Sequence, residues 1–157
     1  MASSGRIEDA ADLYADIGDT AALIQLIHAN AIGIIAQGRL EILNNWLNRI
    51  PAHTVSGDPW LLFWLGMSFR PAAANKAGGC FEKAFELFQQ SRSEVGTYLA
   101  WSKIIDSIVL AWDDFKRLDA WIDWLDSHPL SEQTSLPVEI QAKVASCIAG
   151  ALIIRRP

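Results

Sequence analysis

The run Ile34-Ile35-Ala36-Gln37-Gly38-Arg39-Leu40-Glu41-Ile42-Leu43-Asn44-Asn45-Trp46-Leu47-Asn48-Arg49-Ile50 recurs in outline 75 residues further along the chain. Ile34 falls on Val109, Ile35 on Leu110, Ala36 on Ala111, Leu40 on Phe115 and Leu43 on Leu118. Trp46 falls on Trp121, Leu47 on Ile122 and Ile50 on Leu125. The match reaches back through Leu26, which meets Trp101, to Leu13, which meets Phe88. Within each run the apolar residues return at three- and four-residue steps, the period of a helix with one buried face. Self-similarity at a fixed spacing is the signature of stacked repeat units. The spacing of 75 is two units of about 37, and the unit between them opens its second helix at Phe81, 41 residues after Leu40 and 34 before Phe115. Such intervals suit helix-pair repeats of roughly 34–47 residues.

Outward from that run the same period continues. Leu23, Ile27, Ala31 and Ile34 form a stripe, as do Phe81, Ala84, Phe85 and Phe88, then Trp101, Ile105, Ile108 and Trp112, and finally Ile140, Val144, Ile148 and Leu152. No useful length alternates with a period of two, and no Asn-Gly or Asp-Gly hairpin signal separates apolar runs. The punctuation agrees. Gln37-Gly38 and Asp113-Asp114 are tight turns, Pro51 and His128-Pro129 end helices, and Leu130 to Leu136 is a polar loop before Pro137. In Ser56-Gly57-Asp58-Pro59, Asp58 is an N-cap and Pro59 the first helical residue. These signals predict helices near 7–17, 20–37, 39–50, 58–69, 73–91, 94–112, 115–127 and 137–153. The fold class is all-α, with 1–157 as one helical-repeat domain: pairs at about 20–50, 58–91 and 94–127, flanked by helices 7–17 and 137–153. Each pair cannot bury its face alone, so stacking supplies the stability.

Composition excludes several classes. The chain has 157 residues, half of them apolar, and seven tryptophans, which a disordered chain would not carry. A net charge of −5 leaves no basic footprint for nucleic acid, and Arg155-Arg156 is too small a patch to supply one. Cys80 and Cys147 stand far apart without CxxC spacing, which points to buried free thiols in a reducing compartment rather than a disulfide or a zinc site. Met1-Ala2-Ser3-Ser4-Gly5-Arg6 has no apolar signal-peptide core, and no apolar run approaches the roughly 20 residues of a membrane span, so the expected location is cytoplasmic, with no membrane contact.

Two local patterns carry a family resemblance. Leu62-x2-Leu65-Gly66-x2-Phe69 followed by Ala77-x3-Phe81-x2-Ala84 resembles the tetratricopeptide pattern. One residue is missing between its halves, the closing proline is absent, and Leu62 replaces the usual tryptophan. The run Ala36-Gln37-Gly38-Arg39-Leu40, with Trp46-Leu47, Ile50-Pro51 and Pro59-Trp60-Leu61-Leu62-Phe63-Trp64-Leu65-Gly66, is similar to the helical-repeat region of MalT-like bacterial transcription regulators of the LuxR type. The resemblance implies a right-handed α-solenoid that senses a small inducer or a protein partner, with a nucleotide-binding switch domain before it and a helix-turn-helix domain after it. The start of the first helix near Ile7 and the run of the last one to Pro157 read as cuts through a longer superhelix. Uncapped ends predict self-association. The other reading is a stand-alone adaptor that binds a peptide segment of a partner.

No catalytic constellation, metal motif or cofactor motif emerges, so the chain reads as a binding module and not an enzyme. His28, His53 and His128 lack HExxH spacing, there is no phosphate loop or G-x-S-x-G elbow, and Gly78-Gly79 reads as a helix irregularity. An enzyme would need His28, Lys103 and Asp106 to converge. Asp119, Asp123 and Asp126 share one helix face, which reads as solvated. Trp46, Trp121, Trp101 and Trp112 read as core, and Trp124 as packed on the last helix. Trp60, Phe63, Trp64 and Met67 build a second aromatic face on one helix. In the tetratricopeptide pattern Trp60, Phe63 and Met67 match groove-facing positions, with His28 and Lys103 as their counterparts in neighbouring units. Two readings stay open: a groove for a peptide helix or sugar ring formed by His28, Trp60, Phe63, Trp64, Met67 and Lys103, or a middle helix that buries both faces.

Overall fold

A computed structural model describes residues 2–131 and 134–155. Glu132 and Gln133 of the expected polar loop, and Arg156 of the terminal basic pair, lie outside the described residues. The described chain is all-α: α1 Ala2–Asp16, α2 Thr20–Ala36, α3 Leu40–Asn48, α4 Ala52–Gly57, α5 Pro59–Ser68, α6 Ala74–Gln90, α7 Glu94–Ala111, α8 Arg117–Ser127 and α9 Val138–Arg155, with a 3₁₀ turn at Pro71–Ala73 before α6. No helix among them is long and apolar enough to cross a membrane. Shifting α2 by 75 residues lands within one residue of both ends of α7.

The helix starts follow capping chemistry. Asp19 accepts a hydrogen bond from the Ala22 amide at 3.0 Å, and Asp58 accepts from the amides of Trp60 and Leu61 at 2.8 and 3.0 Å. Ser93 accepts from the Gly96 amide at 3.2 Å. Each satisfies amides that the first helical turn leaves without partners. Gly18 and Gly38 turn the chain at φ +74° and +71°, the left-handed conformation that closes a helix at little cost only for glycine. Arg92 and Trp112 do the same with side chains attached, at φ 56° and 48°.

Three boundaries depart from expectation. The first helix begins at Ala2, not near Ile7, because Ala2-Ser3-Ser4-Gly5-Arg6 holds no apolar period by which the sequence could announce a helix. The segment after Pro51 is a further helix, α4, in which Val55 alone is buried, too little for a periodic signal. The helix expected from Phe115 starts at Arg117, after a turn in which Asp114 accepts from the Lys116 amide at 3.0 Å.

Packing runs between elements close in sequence: α6 lies against α5 and α7, α2 against α1 and α3, and α9 against α7 and α8. The short turns at 37–39 and 91–93 make α2–α3 and α6–α7 helical hairpins. One continuous core joins them, from Ala11 in α1 to Ala151 in α9. α5 meets α2, α3, α4, α6 and α7, and it is apolar on every side, as a helix with neighbours all round it must be, with Leu65 left at the rim of an open cleft. Trp101 is fully buried and donates its indole N–H to the Trp121 carbonyl at 2.9 Å, and Trp46 is also buried. Trp121 is half-buried, edge-on to Phe85. Trp112 corrects the sequence reading. It is 78% exposed, because its left-handed backbone ends α7 one residue early and turns the ring out of the stripe towards Phe115.

Candidate functional site

The aromatic face of α5 is interior. Phe63 and Trp64 are 4% and 8% exposed, and Trp60 and Met67 are half-buried against the core. The Trp60 ring lies 5.7 Å from Phe63 and from Trp64, and 4.9 Å from Phe88 of α6. Phe63 in turn meets Phe81 at 5.5 Å. His28 of α2 reaches this cluster from its edge: Trp64 Nε1 donates to His28 Nδ1 at 3.2 Å, while His28 Nε2 faces Asp58 Oδ2 at 3.9 Å. His28, Trp60, Phe63 and Trp64 are therefore brought together, but as a packed seam between α2, α5 and α6. Of the two readings, the middle helix with two buried faces describes them.

Lys103 lies elsewhere. Its ammonium pairs with Asp106 at 3.5 Å, and Asp106 also receives Lys143 of α9 at 2.8 Å. Cys147 is 6% exposed, and its thiol sits 3.5 Å from Asp106 Oδ1 and 3.6 Å from the Ser102 carbonyl. Burial, then the Asp106 charge, pushes the Cys147 thiol above its ordinary value. Burial alone would lower the Lys143 ammonium, but the hydrogen bond and charge of Asp106, helped by Cys147, raise it. The group is an ion-paired tie between α7 and α9, two ammoniums sharing one carboxylate, with a neutral thiol beneath it. No hydrogen bond or ion pair joins His28 to Lys103 or Asp106 among the described residues, so the three do not converge. Asp119 of the acidic face receives a two-pronged hydrogen bond from Arg155, both contacts at 2.8 Å.

A concave feature lies on the other side of α5. A cleft of about 570 Å³ opens between α3, α4, α5 and α6. Leu47 and Ile50 of the α3 end, Val55 of α4, and Leu62, Leu65 and Phe69 of the α5 segment give it an apolar wall. α6 contributes Lys76, Gly79, Cys80 and Lys83, which fall on one helical face at steps of three and four residues. Gly79 has nothing within 4 Å of where a Cβ would stand, so its missing side chain is part of the open space. Cys80 is half-buried. Burial raises its thiol above the ordinary value, and the Lys83 charge opposes the rise.

None of these lining residues is expected at a site from the sequence: Leu47, Ile50, Leu62, Leu65 and Phe69 read as repeat and core positions, and Cys80 as a buried thiol. The Lys76-Gly79-Cys80-Lys83 face was there to be read, but Gly78-Gly79 looked like an irregularity, and the two differ in role. A Cβ at Gly78 would stand 3.4 Å from the Ser107 Cβ, whereas Gly79 faces the cleft.

No family model, curated protein or solved structure matches the chain.

Proposed function

We propose that the chain is a non-catalytic binding module, a right-handed stack of tetratricopeptide-like helix pairs, and that it serves as the inducer-sensing region of a MalT-like, LuxR-type transcription regulator. One observation carries the reading: the cleft between α3, α4, α5 and α6 has an apolar wall with a few polar groups at its side, and its volume of about 570 Å³ falls within the range of small-molecule sites. Its walls come from helices on both sides of the α4 insertion, so an occupant bears on how the α2–α3 hairpin sits against α5 and α6. A ligand shifts an equilibrium between arrangements only by its differential affinity for them, and a cleft shared by successive units supplies such a difference. The helix pair at Gly66 and Phe81 and the 75-residue self-match support the repeat architecture.

The test is binding of N-phenyl-1-naphthylamine, a neutral apolar fluorophore, to the wild-type chain and to Gly79→Leu. The substitution projects a side chain into open space and leaves the rest of the core alone. Saturable binding to the wild type that is lost in Gly79→Leu, with helicity unchanged, is the expected result. Equal binding by both overturns the cleft as the site.

A further inference from the structure

The cleft is charged against the grain of the chain. The protein carries 18 acidic and 13 basic residues, yet the charged residues lining the cleft are Lys76 and Lys83, and no carboxylate is part of that lining. Seven basic side chains elsewhere are paired in place, whereas Arg6, Arg92 and Lys116 lie outside the cleft without a partner carboxylate within 4 Å among the described residues. Arg39 pairs with Glu8, Arg49 with Asp12 and Asp16, Arg70 with Glu41, Arg117 with Glu82, Arg155 with Asp119, and Lys103 and Lys143 with Asp106. Lys76 and Lys83 have no ion pair among the described residues. They stand two turns apart on α6, on the same face as Gly79 and Cys80, at the edge of an apolar wall made by Leu47, Leu62 and Phe69. Asn48 and Ser56 add neutral polar groups to the lining.

We infer that the cleft binds a small amphipathic anion, a medium-chain organic acid whose apolar body lies against α3 and α5 and whose anionic head is held by Lys76 and Lys83. The inference rests on the binding-module reading and gives its ligand a chemical class. The apolar wall rewards burial of a hydrocarbon body in proportion to the area removed from water. The ammonium groups supply charge-assisted hydrogen bonds to an oxyanion, roughly twice as strong as neutral ones. A neutral ligand of the same length would leave both charges unused. A cleft of about 570 Å³ suits a small molecule better than a peptide helix, which needs an extended groove for several turns of anchors. Cys80, kept as a neutral thiol by burial, belongs to the apolar lining and takes no part in holding the head.

Displacement of N-phenyl-1-naphthylamine by decanoate, decyl phosphate and decanol tests this on the whole chain, with Lys76→Gln/Lys83→Gln as the variant. Both lysines are exposed, so the variant folds as the wild type does. The expected result is displacement from the wild type by decanoate at a concentration about tenfold below that of decanol, an advantage lost in the variant while fluorophore and decanol binding stay unchanged. The advantage also shrinks at high salt, as an exposed charge contact must. Tighter displacement by decyl phosphate than by decanoate assigns the head as phosphate, and the reverse assigns it as carboxylate. Equal potency of decanol and the two anions on the wild type, or an anion advantage that survives the double substitution, overturns the inference. Failure of the fluorophore to bind at all overturns instead the module reading beneath it.

Discussion

Phe81 of α6 lays its ring over the bare backbone of Gly66 in α5: a Cβ at Gly66 would stand 2.6 Å from Phe81 Cε1 and 2.8 Å from Cζ. The contact lets α5 and α6 approach more closely than any larger residue allows, and it sits at the Gly and Phe of the tetratricopeptide-like pattern. Gly96 of α7 repeats the device one helix on, with Phe88 Cδ1 2.2 Å from where its Cβ would be.

Gly66→Ala is therefore expected to destabilise the chain by about 1–3 kcal/mol through overpacking, despite the better helix propensity of alanine. Gly79→Ala, in the next helix but facing open space, is expected to stabilise it by up to about 1 kcal/mol. Urea midpoints of the two variants check the contrast, and Gly66→Ala/Phe81→Leu is expected to recover part of the loss.

Two tryptophans of the same helical stripe are expected to part company. Trp101→Ala removes a fully buried side chain and its hydrogen bond to Trp121, at a cost of about 3–5 kcal/mol. Trp112→Gly relieves a left-handed backbone and removes an exposed ring, so its melting temperature should hold or rise. A large loss at Trp112 would mean that its contact with Phe115 matters more than its backbone.

Asp58 both caps α5 and faces His28. Asp58→Ala is expected to cost about 1 kcal/mol, whereas Asp58→Asn, which retains a capping oxygen, should be nearly neutral. The pair with His28 spans 3.9 Å with both side chains about one-third exposed, so its loss contributes little. Thermal melts of the two variants and of His28→Ala separate the cap from the pair.

Alkali should loosen the α7–α9 side of the molecule. The thiol of Cys147 and the phenol of Tyr98 are both raised in the folded chain, Cys147 by burial and then by Asp106, and Tyr98 by burial and then by Glu94. A raised folded value means that each contributes stability that is complete below its unfolded value and lost as pH rises through the folded one. Stability should hold at neutral pH and begin to fall once pH passes the usual thiol value of about 8.5. Cys147→Ala and Tyr98→Phe should flatten the decline in a series of melts across that range, and Tyr98→Phe also removes the 2.9 Å hydrogen bond to the His128 carbonyl.

The sequence alone determined what depends on local chemistry and period. Leu23, Ile27, Ala31 and Ile34 are all buried as their spacing required, because a helix of fixed pitch puts them on one face. Asp58-Pro59 starts a helix and Gly38 ends a turn for reasons contained in those residues. Period says which residues share a face, but it does not say how many neighbours that helix has. Only the tertiary structure decided that α5 is surrounded, which turned Trp60, Phe63 and Trp64 from a candidate groove into a packed seam. It also separated Lys103 from them by tying it to Asp106 in the contact between α7 and α9. The cleft itself is space left between helices, bounded by Val55 of a helix too short to announce itself and by a side chain that Gly79 does not have. An absence of atoms carries no periodic signal, so it became visible only once the surrounding helices were in place.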